Sequence, residues 1–125
     1  MNNNYFLNKT IIITGANQGI GLEIAKNFYS KGSNIILCAR NKKKLLSIKK
    51  KLVSNFNNKF FLERLDISNK NQVDKFYKKI FKKNKQIDIL INNAGIYGPK
   101  GPSETLKWNE WKNTLDINLL GSIYM

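Results

Sequence analysis

The stretch Thr14-Gly15-Ala16-Asn17-Gln18-Gly19-Ile20-Gly21 has the residues to hold an anion, with glycines spaced G-x-x-x-G-x-G between a β-branched run and an amphipathic stretch. Gly15 permits a tight turn out of a strand. Gly19 lets main chain come close to a ligand, and Gly21 lets a helix pack against a sheet. A helix starting here offers unpaired N–H groups and the positive end of its dipole, which suits a phosphate or pyrophosphate. A second cluster, Asn92-Asn93-Ala94-Gly95, follows another apolar run; as a bare motif it reads equally as an ordinary turn. A third apolar run ends Leu37-Cys38-Ala39-Arg40-Asn41. Its guanidinium can grip a phosphate through a planar fork, and Lys42 to Lys44 add a positive field.

The elements that must position these residues alternate strand and helix with little slack. Thr10 to Thr14 reads as a buried parallel strand. A helix is expected over Leu22 to Lys31, with Ile20, Ile24 and Phe28 on one apolar face and Gly32 ending it. Asn34 to Ala39 is the second strand. Lys42 to Val53 reads as a helix with Leu45, Leu46, Ile48, Lys49 and Leu52 near its buried side. Phe60 to Leu65 is the third strand. Ser68 is the expected N-cap of the next helix, whose stripe is Val73, Phe76, Tyr77, Ile80 and Phe81. Ile87 to Ile91 is the fourth strand. A glycine- and proline-rich loop, Gly95 to Pro102, then leads to a last helix from about Ser103 or Trp108.

Such repetition implies a parallel sheet with right-handed crossovers and helices on both faces. The expected strand order is 3-2-1-4, and ligands of such sheets bind at the carboxyl ends of the strands where the order reverses. Both glycine-bearing motifs fall at that point, between strands one and four.

The two motifs together resemble the short-chain dehydrogenase/reductase family, and the resemblance runs from Lys9 to Met125. It takes in Asp66-Ile67 after strand three and Leu115-Asp116-Ile117-Asn118 in the last helix. The fold it implies is α/β: a Rossmann-like doubly wound parallel sheet with helices on both faces, truncated after about four strands. Residues 1–125 would be the N-terminal part of one NAD(P)-binding domain, with the catalytic C-terminal portion absent.

By the resemblance, Thr14, Gly15, Asn17, Gln18, Gly19, Ile20 and Gly21 bind the cofactor, with Thr14 tying strand one to strand four. Asp66 hydrogen-bonds the adenine amino group and Ile67 lends main-chain contact. Asn92 and Asn93 brace strand four and line the nicotinamide-side ribose, and Ala94 and Gly95 keep the wall thin. Asn118 is the catalytic-site residue carried by this half, in a hydrogen-bond and water network. A ribose 2′-OH is usually met by a carboxylate at the end of strand two; with Arg40 there instead, NADP(H) is favoured and NAD(H) is the alternative.

The implied activity is oxidoreduction, a hydride passing between nicotinamide and a carbonyl or alcohol carbon of a small molecule. The family's proton chemistry uses Y-x-x-x-K with an upstream serine. Here the only Y-x-x-x-K is Tyr5 to Lys9, ahead of the first strand and on the wrong side of the fold. The chain as given is therefore expected to be inactive. The alternative is a short product that binds nucleotide or a partner without turnover.

Composition narrows the field further. The net charge of +14 is spread over the whole chain, and lysine, asparagine and isoleucine share A+T-rich codons. Genome composition thus accounts for the charge, and no specific nucleic-acid partner is expected. The single Cys38 cannot form an internal disulfide and reads as a packed thiol. No run approaches the ~18 apolar residues of a membrane span, and the opening Met1 to Lys9 lacks a signal-peptide layout. No metal site is expected. The full-length protein is expected to be cytoplasmic and a homo-oligomer.

Overall fold

The computed structural model describes residues 3–125; the first two residues of the opening stretch read above lie outside the described residues. Four strands, β1 (Thr10–Thr14), β2 (Asn34–Ala39), β3 (Phe60–Arg64) and β4 (Ile89–Ile91), form one parallel sheet. Their order is β3-β2-β1-β4, the order expected from the sequence. The helices are α1 (Gly19–Ser30), α2 (Lys42–Ser47), α3 (Lys70–Lys83), α4 (Trp108–Leu115) and α5 (Gly121–Tyr124), with a π-helical segment, Asp116–Leu120, joining the last two.

Alternation along the strands sends side chains to two separate cores. Ile11, Ile13, Ile35 and Leu37 pack with Leu22, Ala25 and Tyr29 of α1 and Leu45 of α2. Ile12, Ile36 and Cys38 face the other way and pack with Val73, Phe76 and Ile80 of α3. Strands β1 and β2 are buried on both faces, which is why their sequences run apolar without alternation. Burial, with the nearby Glu63 carboxylate second, pushes the Cys38 thiol far above its usual range. It is an inert core thiol.

Several boundaries differ from the sequence expectation. Helix α1 begins at Gly19 rather than Leu22. Its sheet-facing stripe is Gly21, Leu22, Ala25 and Tyr29. Ile20, expected on the apolar face, is 75% exposed, because it sits in the first turn, beyond the end of the strand. Helix α2 ends at Ser47 and tightens into a 3-10 turn, Ile48–Lys51. Leu45, Ile48 and Leu52 are buried while Leu46 and Lys49 are not. A three-residue apolar stripe is satisfied by this shorter piece, and the Lys49-Lys50-Lys51 run stays in water. Asn69, not Ser68, caps α3 by accepting from Gln72 N–H at 3.1 Å. Ser68 is held by Asp66 instead. On α3, Phe81 of the expected stripe is exposed. The fourth strand is shorter than Ile87 to Ile91; just ahead of it Asp88 meets Thr10 with both main chain and side chain, its N–H donating to the Thr10 carbonyl at 2.9 Å and its Oδ2 accepting from Thr10 N–H at 2.8 Å.

Candidate functional site

The turn between β1 and α1 is held from two sides. Gly15 N–H donates to the Cys38 carbonyl at 2.8 Å, fixing the turn to β2. On the other side Thr14, fully buried, meets the loop after β4. Its Oγ1 accepts from Asn93 N–H at 3.1 Å and Ala94 N–H at 3.0 Å and donates to the Ile91 carbonyl at 3.4 Å. Asn93 returns the contact, its amide donating to the carbonyls of Thr14 and Gly15 at 2.9 and 3.3 Å.

Two glycines are dictated by this crossing. Gly15 has φ +67°, and a Cβ there would lie 2.7 Å from the Ala94 Cα. At Gly21 a Cβ would lie 2.4 Å from the Asn93 amide nitrogen. The third glycine of the motif therefore makes room for Asn93, beyond the helix–sheet packing expected of it. Above Gly19, by contrast, a Cβ would meet nothing within 4 Å; that space is the floor of a cavity. No side chain caps the N-terminus of α1, so its first-turn N–H groups are left for an anion.

The cavity, about 970 Å³, lies at the carboxyl ends of the strands, within the usual size of a small-molecule site. Gly15, Asn17, Gln18, Gly19, Ile20 and Gly21 form one wall, Ala39, Arg40, Asn41 and Lys44 a second, and Leu65 and Ile67 a third. Asn93, Ala94, Gly95, Ile96, Tyr97 and Ile117 close the far end. Among the described residues its lining holds two cations, Arg40 and Lys44, and no carboxylate. A smaller hollow of about 470 Å³ opens at the amino ends of the strands around Lys9, Lys85 and Asp88; none of the motif residues reaches it.

Asn118 lies in the π-helical segment, an irregularity common at functional sites. Its amide grips one residue twice: Oδ1 accepts from Ile96 N–H and Nδ2 donates to the Ile96 carbonyl, both at 2.9 Å. It thereby fixes the cavity's far wall, which it does not itself line. Tyr97, next in the chain, is 90% exposed with the Lys100 ammonium 5.1 Å from its ring centre.

A family model for short chain dehydrogenases matches residues 9–125. The chain belongs to the short-chain dehydrogenase family. Among its relatives, an uncharacterized oxidoreductase of Listeria monocytogenes is 34% identical over 114 residues, 91% of this chain and 45% of that protein. An alcohol dehydrogenase from the archaeon Thermococcus sibiricus, solved with 5-hydroxy-NADP, superposes with a TM-score of 0.84 at 32% identity, covering 93% of this chain and 49% of that one. A 3-ketoacyl-(acyl-carrier-protein) reductase from Brucella melitensis, solved with NADH, superposes with a TM-score of 0.85 at 27% identity, covering 96% and 48%. The chain spans about half the length of the curated relatives it matches.

Most of the positions that the short-chain dehydrogenase resemblance marks converge on the cavity, and four stand outside its lining. Thr14 acts beneath it, as the joint just described. Asp66 begins the turn after β3, and its Oδ1 accepts from Ser68 N–H at 3.0 Å and from the Ser68 hydroxyl at 2.7 Å. Asn92 is exposed and turns away, its amide donating to the Ser122 carbonyl at 3.4 Å. Asn118 stands behind Ile96. Ala39, Leu65, Ile96 and Ile117 also line the cavity without belonging to any motif in the sequence. The rule that ligands sit at the carboxyl ends of parallel strands is the signal that would have found the first two.

Proposed function

We propose that this chain is the cofactor-binding half of an NADP(H)-preferring oxidoreductase acting on a carbonyl or alcohol substrate. The observation that carries the reading is the cavity rim after β2, where Arg40 stands and no carboxylate is present. The residues fit the dinucleotide on independent grounds: an uncapped helix start, open space above Gly19 and a lining without negative charge.

The first-turn N–H groups of α1 would hold the pyrophosphate over Gly19 and Gly21, with Asn17, Gln18 and Ile20 around it. Arg40 would pair with the 2′-phosphate. Ile67 would support adenine, and Asp66 has Oδ2 to offer to the adenine amino group. Asn93, Ala94 and Gly95 would flank the nicotinamide-side ribose, with Asn92 bracing the same loop from the α5 side. Bound nicotinamide supplies or accepts the hydride. Asn118 is a positioning residue here: it keeps the Ile96 main chain at a fixed place in the wall nearest that ring, and joins the active-site hydrogen-bond network. The proton exchange that hydride transfer requires is assigned to residues outside these 125, so this chain alone turns over no substrate.

The test is fluorescence titration of the full-length protein with NADPH and NADH. NADPH is expected to bind more tightly, and Arg40→Asp to reverse the order. Loss of a charge-assisted contact costs about 1.5–3 kcal/mol, roughly tenfold or more in Kd. A wild-type protein that prefers NADH overturns the reading.

A further inference from the structure

Gly121 opens α5 with an ordinary helical backbone, φ −59° and ψ −40°. Nothing in that conformation asks for glycine, and a glycine inside a helix weakens it relative to alanine. What asks for it stands opposite. A Cβ at this position would lie 2.7 Å from Ile67 Cγ1, 2.8 Å from Cδ1 and 3.3 Å from the Ile67 carbonyl carbon. The buried Gly121 therefore lets the helix press against both the side chain and the main chain of Ile67. Ile67 is buried, shares a core with Leu65, Val73 and Phe76, and lines the cavity, which Gly121 does not. With core on its other sides, the cavity is the direction in which Ile67 can be displaced. The same turn of helix carries Asn118, which fixes Ile96 at the cavity's far end, and Ser122 Oγ donates to the Asn118 carbonyl at 3.1 Å.

We infer that Gly121 is a positioning residue for the adenine end of the dinucleotide: its missing side chain sets how far the Ile67 wall stands from the base. The inference rests on reading the cavity as a dinucleotide site, not on which dinucleotide is preferred, since adenine is common to both. A wall serves a flat base only at van der Waals distance, and a gap of about 0.5–1 Å already forfeits a quarter to a half of the contact energy. Close-packed interiors transmit strain, so a methyl group added at Gly121 is passed on to Ile67 and into the cavity. Ile67 is joined to Asp66, whose Oδ1 is held by Ser68, and its displacement also turns the carboxylate offered to the adenine amino group. Gly121 thus acts on the cofactor without touching it, three residues from the asparagine that acts on the other end.

The experiment is titration of the full-length protein with NADPH and with ADP, which carries adenine and two phosphates but no nicotinamide. Gly121→Ala, Ile67→Ala and the two together form a double-mutant cycle. Gly121→Ala is expected to weaken ADP and NADPH by the same factor, about fivefold to tenfold, as overpacking of a full core does. In the Ile67→Ala background, where Cγ1 and Cδ1 are gone, the same change should cost less than about twofold. If Gly121→Ala lowers the urea midpoint but leaves ADP affinity unchanged, Gly121 only packs a helix and the inference fails. It fails also if NADPH weakens and ADP does not, which would route the effect through Asn118 to the nicotinamide end. A loss as large in the Ile67→Ala background overturns it as well, since the methyl group would then act through some other residue. Should Gly121→Ala not fold alone, the Ile67→Val background, with Cδ1 gone, reads part of the same loss, about twofold to threefold; unchanged ADP affinity there sinks the inference. In each of these cases the wild type still binds ADP and NADPH, and the dinucleotide reading stands. A full-length wild type that binds neither removes that reading and this inference with it.

Discussion

Strand β1 is joined to its two neighbours in different ways. Toward β2 the register runs the whole strand, from Thr10 opposite Asn34 to Thr14 opposite Cys38, and the side chains above and below are buried on both faces. Toward β4 the ladder covers only Ile11, Ile12 and Ile13, and Leu90 is partly exposed. Side chains make up the difference. Thr14 and Asn93 close the joint at the carboxyl end, and Asp88 closes it at the amino end by bonding Thr10 N–H and the Lys9 ammonium. The first joint is made by main chain and packing. The second adds a few polar side chains to a short ladder, and those at its carboxyl end, Thr14 and Asn93, shape the cavity. A site built on polar joints is sensitive to single atoms in a way that a packed core is not.

The largest effect should come from the packed side. Ile36→Ala removes a fully buried side chain of β2 packed against α3 and should cost about 2–5 kcal/mol of unfolding free energy, measured by urea denaturation. A loss below 1 kcal/mol would mean that the β1–β2 side is not the rigid part of the molecule.

Thr14→Val, nearly the same shape, strands the Ala94 N–H at the β1–β4 joint, while the Asn93 N–H keeps its bond to the Ile91 carbonyl at 3.0 Å. Part of that loss is open to water from the cavity, so about 1–3 kcal/mol is expected, with Thr14→Ser close to wild type. The same substitution should weaken cofactor binding in the full-length protein, since the Asn93–Ala94 wall loses its anchor. Cofactor affinity unchanged by Thr14→Val would show that the wall is held by something else.

The other end of the joint answers to pH. The Thr10 N–H bond first, with smaller help from Lys9 and Gln86 and against some desolvation, holds the Asp88 carboxyl below its ordinary value near 3.8. A depressed folded-state pKa gives stability that is complete above that ordinary value and is lost as pH falls through the folded one. Asp88→Asn should therefore lower stability at neutral pH, and the gap from wild type should close below the usual carboxylate range. A gap that stays constant down to strong acid would assign the Asp88 contribution to hydrogen-bonding shape rather than charge.

The smallest effect on stability is expected on the outer side of β4 and the last helix. Leu119 is 53% exposed and Ile123 67%, so Leu119→Lys with Ile123→Lys should change the unfolding free energy by no more than about 0.5 kcal/mol each. These apolar positions and the open edge of β4 nevertheless invite self-association. The 125-residue chain should sediment as larger species with rising concentration, and the double substitution should reduce this. A wild-type chain that stays monomeric throughout would show the face to be adequately screened by its neighbours.

How much was legible in advance follows the same division. Strands β1 and β2 were read to the residue, because a strand buried on both faces needs an uninterrupted apolar run and Gly15 and Gly32 bracket those runs. Strand order and cavity position followed from the alternation of elements. The sequence pattern starts α1 three residues late and puts Ile20 on the apolar face, because glycines that suit a turn also serve as the first turn of a helix. By residue type Ser68 and Asn69 cap α3 equally well; only the Asp66 carboxylate, bonding Ser68, decides for Asn69.

Local sequence determined the sheet, the glycine turn and the charge at the end of β2, since each rests on contacts within one short segment or on the parity of a strand. The tertiary structure alone decided which atoms meet across long separations: Thr14 with Asn93, Asn118 with Ile96, Asp88 with Thr10. Those pairings depend on how two distant segments are placed by the sheet between them, and a residue type shows only that it can donate or accept, never to whom.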